Sequence, residues 1–136
     1  LNIGDERYLL IVDDQPAICE LLSEVFNDEG FEARTCLNGD QAIQVIKTRK
    51  PSLIFMDINM PGKNGLETLR EAKHMLNGVP VVMLTAYGEL EDVLEARKQG
   101  LIRYYITKPF DVMCLIKLTK RIMSQQPECE LQASGL

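Results

Sequence analysis

Tyr8-Leu9-Leu10-Ile11-Val12 runs without a polar break into Asp13-Asp14. A short apolar run of this kind, bounded by polar residues, reads as a strand buried on both faces. Two further runs have the same form. Leu53-Ile54-Phe55-Met56 stops on Asp57, and Val81-Val82-Met83-Leu84 stops on Thr85. A fourth, more broken run, Ile102-Arg103-Tyr104-Tyr105-Ile106, leads into Thr107, Lys108 and Pro109. If the runs are parallel strands, their C-terminal ends gather three carboxylates, a hydroxyl and an ammonium at one edge of a sheet. That set suits an oxygen-ligated cation beside a carboxylate able to accept a phosphoryl group.

The segments between the runs carry helical spacing. Pro16 opens the first, a residue tolerated in a helix's first turn. Ala17, Ile18, Leu21, Leu22, Val25 and Phe26 line one face up to about Glu29, and Gly30 stops it. Phe31 to Cys36 reads as a short second strand. Asn38-Gly39-Asp40 is a turn and a candidate N-cap before the stripe Ala42, Ile43, Val45, Ile46. Met60-Pro61-Gly62-Lys63-Asn64-Gly65 is a loop dense in helix breakers. Leu66, Leu69, Ala72, Lys73 and Leu76 return to helical spacing up to Asn77-Gly78. Leu90 to Gln99 and Asp111 to Ser124 are the last two expected helices, and Gln125 onward has no period. Strand and helix alternating in this way imply a parallel sheet with helices on both faces. Ligands of such sheets bind outside the carboxyl ends of the strands, where the acids fall.

Composition narrows the function classes. The chain has 136 residues, 46% hydrophobic and 26% charged, as expected of one ordinary globular domain. No apolar stretch reaches the ~20 residues that span a bilayer. The start, Leu1-Asn2-Ile3-Gly4-Asp5-Glu6-Arg7, lacks the apolar centre of a signal peptide, so the expected location is cytoplasmic. The net charge of −5 argues against direct nucleic-acid binding, which needs clustered cations. The densest basic patch, Lys47, Arg49 and Lys50, reads instead as a helix C-terminus. Cys19, Cys36, Cys114 and Cys129 form no C-x-x-C pair and read as small apolar fillers in a reducing compartment.

Three converging carboxylates repel one another, and without a counter-ion at least one should have a raised pKa. A divalent cation removes that cost. Asp13, Asp14 and Asp57 offer oxygens of the kind Mg²⁺ takes, and the lack of an adjacent His or Cys argues against zinc. A carboxylate so placed can form an aspartyl-phosphate. Thr85 and Lys108 are the residue types that would meet the incoming charge. Pro109 either fixes the loop through a cis bond or merely ends a strand; the sequence leaves both open. Taken singly, each residue has a plainer reading. The Asp pair could cap a helix, Asp57 could sit in a turn, Thr85 could end a strand and Lys108 could be a solvated loop cation. The combination favours the cation site. Tyr104 and Tyr105 alternate, one to each side of the sheet. His74 reads as surface filler, and Met56, Met60 and Met83 as packing.

Asp13-Asp14, the run into Asp57 with Met60-Pro61-Gly62 behind it, Thr85-Ala86 and Lys108-Pro109 together resemble the response-regulator receiver domain of two-component signalling. The resemblance covers about residues 7–125, leaving 126–136 as a tail or linker stub. Within the family, Ile11–Gln15, Glu24–Gly30 and Thr85–Leu90 are most similar to single-domain phosphorelay carriers. The resemblance implies a flavodoxin-like (βα)5 three-layer sandwich, with a parallel five-stranded sheet in the order 2-1-3-4-5. It implies Asp57 as phosphoacceptor, and Asp13, Asp14, Asp57 and the backbone carbonyl of Asn59 as Mg²⁺ ligands. Thr85 and Lys108 would contact phosphoryl oxygens, and Tyr105 would change orientation with Thr85. Asn59 and Tyr87 fall where the family tunes phosphate lifetime. Leu101 follows Gly100 where Ala is usual, a departure that touches helix–strand packing.

The implied partner is a histidine kinase or histidine phosphotransferase, docked on Gln15, Pro16, Ile18 and Leu21 with Pro109 and Phe110. The implied state is a monomer, or a weak dimer formed on phosphorylation, whose α4-β5-α5 face switches partners. Such a chain is a self-phosphorylating and self-dephosphorylating switch rather than a dedicated enzyme. It is expected to be either a complete phosphorelay carrier or the first domain of a larger regulator. Two other classes fit less well. A hydrolase that resembles the haloacid dehalogenase family would need a second Asp two residues past the nucleophile, where Asn59 cannot donate a proton. A flavin binder would need a Gly-rich phosphate cradle, which is missing.

Overall fold

The computed structural model describes residues 7–125. Strand β1 (Leu9–Val12) leads into α1 (Pro16–Asp28), β2 (Ala33–Cys36) into α2 (Gly39–Thr48) and β3 (Leu53–Asp57) into α3 (Gly65–Ala72). Strand β4 (Val81–Thr85) is followed by α4 (Leu90–Lys98), and β5 (Tyr104–Thr107) by α5 (Val112–Gln125). The strands are parallel and ordered β2-β1-β3-β4-β5, the three-layer arrangement expected from the sequence. Among the described residues no helix is long and apolar enough to cross a membrane.

Alternating side chains of β1, β3 and β4 feed two separate cores, which explains their unbroken apolar runs. Leu10, Val12, Ile54, Met56, Val81 and Met83 pack on one side with Ile43, Leu69 and Val93, which belong to α2, α3 and α4. Leu9, Ile11, Leu53, Phe55, Val82 and Leu84 pack on the other with Leu22, Phe26 and Leu115 of α1 and α5. The Phe26 and Phe55 rings stack there with centroids 5.1 Å apart. Tyr105 joins the first core and Tyr104 the second, so the two tyrosines do face opposite sides. Met56, Met60 and Met83 are buried packing residues, as expected.

Several elements differ from their sequence reading, each for a local reason. Strand β2 starts at Ala33 rather than Phe31, because Phe31 finishes α1. Its N–H bonds the Phe26 carbonyl (2.9 Å) while that of Gly30 bonds Asn27 (3.0 Å), with Gly30 at φ +92°. This is the double closure that favours glycine past a helix end, sealed by the Phe31 ring edge-on to Phe26. The same closure ends α4. Gly100 N–H bonds Arg97 and Leu101 N–H bonds Ala96, and Leu101 packs on the core beneath. Strand β5 starts at Tyr104 because Ile102, though buried, plugs the core before pairing with β4 begins. Helix α3 stops at Ala72 and tightens into a 3₁₀ turn over Lys73–Met75, which still delivers Leu76 to the core. His74 is exposed in that turn.

Of the cysteines, Cys19 and Cys36 are buried as expected, but Cys114 is exposed on α5 because its position faces away from the sheet; Cys129 and the tail 126–136 lie outside the described residues. In the basic patch, Lys47 does sit in the last turn of α2. Arg49 instead pairs with Glu32 at 3.1 Å and stacks over the Tyr8 ring at 4.4 Å.

Since Phe55 is fully buried and stacked on Phe26, Phe55→Ala should destabilise the chain by roughly 3–5 kcal/mol. Met113→Ala, at a 59% exposed position, should change stability by less than about 0.5 kcal/mol. Urea unfolding followed by circular dichroism measures both.

Candidate functional site

Parallel register is what gathers the acids. Val12 pairs with Met56, Asp57 with Leu84 and Thr85 with Thr107, so the chain positions just past each strand fall on one rim. There Asp13, Asp14 and Asp57 each offer a carboxylate oxygen, all within 4.8 Å of one another. Asp13 is fully buried, Asp57 nearly so, and Asp14 half-buried. Lys108 reaches in from the end of β5. Its Nζ lies 3.0 Å from Asp13 Oδ2 and 3.2 Å from Asp57 Oδ1. The Lys108 backbone N–H is anchored on the Thr85 carbonyl at 2.7 Å, and the peptide bond to Pro109 is cis.

Burial and the charge of Asp13 push the Asp57 carboxyl up to about 6, against the pull of Lys108. Crowding of the carboxylates predicts a raised acid; burial is the larger cause and the charge of Asp13 adds to it. Burial also opposes the Lys108 ammonium, but the hydrogen bond to Asp13 and the charges of Asp57 and Asp13 outweigh it and raise its pKa. Cys19 lies nearby, its thiol donating to the Asp13 carbonyl at 3.3 Å. Burial pushes that thiol up to about 11, so it stays protonated and is a poor metal ligand. The donors that remain are all oxygens, crowded and negatively charged, which fits a hard divalent cation.

The Asp pair does not cap α1. Gln15 occupies the N-cap position without a side-chain cap, and Asp13 Oδ1 instead accepts the Gln15 N–H at 2.9 Å. That bond fixes the Asp13 carboxylate as the chain turns into α1. Thr85 is fully buried at the end of β4, where its hydroxyl donates to the Ala86 carbonyl at 3.0 Å. Tyr105 is half-buried, with the Arg97 guanidinium 5.7 Å from its ring centre. Asn59 is exposed in the loop after β3, and Tyr87 falls in a 3₁₀ turn over Tyr87–Glu89.

Gly65 is a site residue that sequence reasoning passed over as one breaker among several. A Cβ there would lie 2.3 Å from the Asp57 backbone oxygen, and the Gly65 N–H bonds the Ile58 carbonyl at 2.8 Å. Helix α3 therefore rests directly on the backbone that carries Asp57. The same helix start holds a reciprocal cap between Asn64 and Glu67, each accepting the other's backbone N–H at 2.8 Å. The Asn-Gly-x-Glu pattern was the available signal.

Comparison with known proteins agrees with this geometry. The family model for the response regulator receiver domain matches residues 9–120. The chain is 39% identical to sporulation initiation phosphotransferase F of Bacillus subtilis over 76% of its own length and 83% of that protein's. It is 40% identical to the nitrogen assimilation regulatory protein NtrX of Azorhizobium caulinodans over 85% of its own length, but spans 26% of that longer protein. The solved receiver domain of NtrX from Brucella abortus superposes with a TM-score of 0.79 at 35% identity, covering 87% of this chain and 99% of that one.

Asp57 ionises in the fold at about 6 against an ordinary 3.8. Between those values the folded chain holds a proton that the unfolded chain has released, so metal-free stability falls as pH rises through the window. Asp57→Asn removes this penalty. With a chelator present, the variant should be more stable than its parent at pH 7 by roughly 1–3 kcal/mol, and its profile from pH 4 to 7 should be flatter. Urea midpoints taken at stepped pH measure both effects. Gly65→Ala should cost about 1–3 kcal/mol and weaken divalent-cation binding, read by calorimetric titration.

Proposed function

The chain belongs to the response regulator receiver domain family, and from that premise we propose that Asp57 takes a phosphoryl group from the phosphohistidine of a histidine kinase or phosphotransferase. The observation that carries this reading is the nearly buried Asp57 carboxylate, held 3.2 Å from Lys108 Nζ among two further acids at the strand ends. An Asp57 oxygen forms a bond to phosphorus as the donor's P–N bond breaks and its electron pair returns to the imidazole. Asp13, Asp14, Asp57 and the Asn59 carbonyl would hold Mg²⁺, which supplies charge neutralisation when bound. Lys108 already stands between Asp13 and Asp57 and can turn its ammonium to a phosphoryl oxygen. Thr85 must exchange its bond to the Ala86 carbonyl for one to the phosphoryl group. Tyr105, on the same side of the sheet as the core beneath α4, would follow Thr85 and alter the α4-β5-α5 face.

The donor is proposed to dock where α1 starts. Gln15, Pro16, Leu21 and Pro109 are exposed, and Ile18 and Phe110 half-buried, on segments adjoining the Asp13 and Lys108 positions. The role is that of a switch with slow self-hydrolysis, since Asn59 offers no general acid beside Asp57. A second reading has this receiver as one part of a longer regulator. It is favoured by the 40% identity to NtrX, a protein of whose length the chain spans 26%.

Incubation with Mg²⁺ and a small-molecule phosphodonor should add about 80 Da, one phosphoryl group, to the intact mass. Asp57→Asn and chelator should each abolish the adduct, and Lys108→Ala should slow its formation by at least ~10-fold. An adduct that persists in Asp57→Asn refutes the assignment. Ile18→Ala should slow transfer from a protein phosphodonor while leaving the small-molecule reaction unchanged.

A further inference from the structure

The chain leaves β4 through Ala86 and winds into the 3₁₀ turn Tyr87–Glu89. The Glu89 side chain folds back over the strand end. Its Oε1 accepts the Ala86 N–H at 3.1 Å and lies 3.5 Å from the Thr85 hydroxyl oxygen. Glu89 is half-buried, stands at the N-cap position of α4 and caps nothing there. Among the described residues it has no salt-bridge partner. Its charge is therefore met by groups at the end of β4, beside the strand that carries Asp57.

Building on the phosphoacceptor reading, we infer that Glu89 is a positioning residue which holds the Ala86 N–H and crowds the Thr85 hydroxyl in the unphosphorylated chain, and so sets how readily the site accepts a phosphoryl group. A carboxylate oxygen and a phosphoryl oxygen are both anionic acceptors, and each N–H or O–H fully satisfies one at a time. A phosphoryl group on Asp57 draws Thr85 toward it and must displace Glu89 first. The two negative charges also repel, which works in the same direction. Glu89 is thus a built-in competitor that holds the end of β4 in its resting arrangement. A side chain that only stiffened the loop would act without regard to the Thr85 hydroxyl, and this separates the two roles.

The test uses beryllofluoride with Mg²⁺ as the phosphoryl mimic, with affinity read by calorimetry. Glu89→Ala should bind it about 3- to 10-fold more tightly than the parent. Glu89→Gln keeps an acceptor but loses the charge, so it should fall between them, and it carries the test if the alanine variant does not fold. In a Thr85→Val background the gain from Glu89→Ala should shrink, because the hydroxyl that Glu89 crowds is gone. Without metal or mimic, hydrogen exchange at the Ala86 amide should quicken in Glu89→Ala. If the parent binds the mimic but the Glu89 variants bind it no more tightly, or the gain is undiminished in Thr85→Val, the role of Glu89 is overturned. If the parent neither binds the mimic nor takes up a phosphoryl group, the phosphoacceptor reading itself falls.

Discussion

Asp13 and Asp57 hold their carboxylates in a nearly water-free rim, and the Lys108 ammonium lies within 3.2 Å of both. Removing charge from water is costly unless opposite charge is close at hand. Most of the architecture around the rim can be read as meeting that condition. Parallel register brings the acids level with one another. The Thr85 carbonyl ties the Lys108 backbone to β4, and Gly65 lets α3 close against the backbone of Asp57. One ammonium for three carboxylates leaves a net negative charge, and burial, joined by the charge of Asp13, keeps the Asp57 carboxyl from ionising until about 6. The rim is therefore organised yet under-neutralised, which is the state a divalent cation would relieve.

The layers of the fold were legible because the three central strands had to be apolar on both faces. An unbroken run such as Leu53–Met56 cannot serve a half-exposed sheet, and its two cores lie where that reasoning puts them. The site residues Asp13, Asp14, Asp57, Thr85 and Lys108 were legible because each directly follows or closes a strand, so a guess about strands was also a guess about proximity. Boundaries were less legible where one residue type serves two purposes. Ile102 and Phe31 are apolar and β-prone, but one plugs a core and the other seals a helix end. Burial alone does not distinguish these from strand pairing.

Sequence was least informative about close approach and competition. Gly65 sits among other breakers, and the Asn64–Glu67 pattern marks a helix start without announcing that a methyl group at Gly65 would strike the Asp57 carbonyl. Glu89 looks like an ordinary acidic residue in a helix's first turn. Only coordinates show its carboxylate turned back toward Thr85 and Ala86. Both residues act on the reactive group through backbone neighbours, a relation that residue spacing does not record.

The division of the sheet into two cores has one more consequence. The aromatic stack of Phe26 on Phe55 lies beneath α1 and α5, while Tyr105 belongs with the packing under α4. Rearrangement at the end of β4 would reach Tyr105 and the core under α4 before it reached the Phe26–Phe55 stack. An upstream donor that recognises the start of α1 would then meet nearly the same surface before and after transfer, whereas a downstream reader at the edge formed by α4 and β5 would meet two different ones. Input and output become separable properties of a single small sheet.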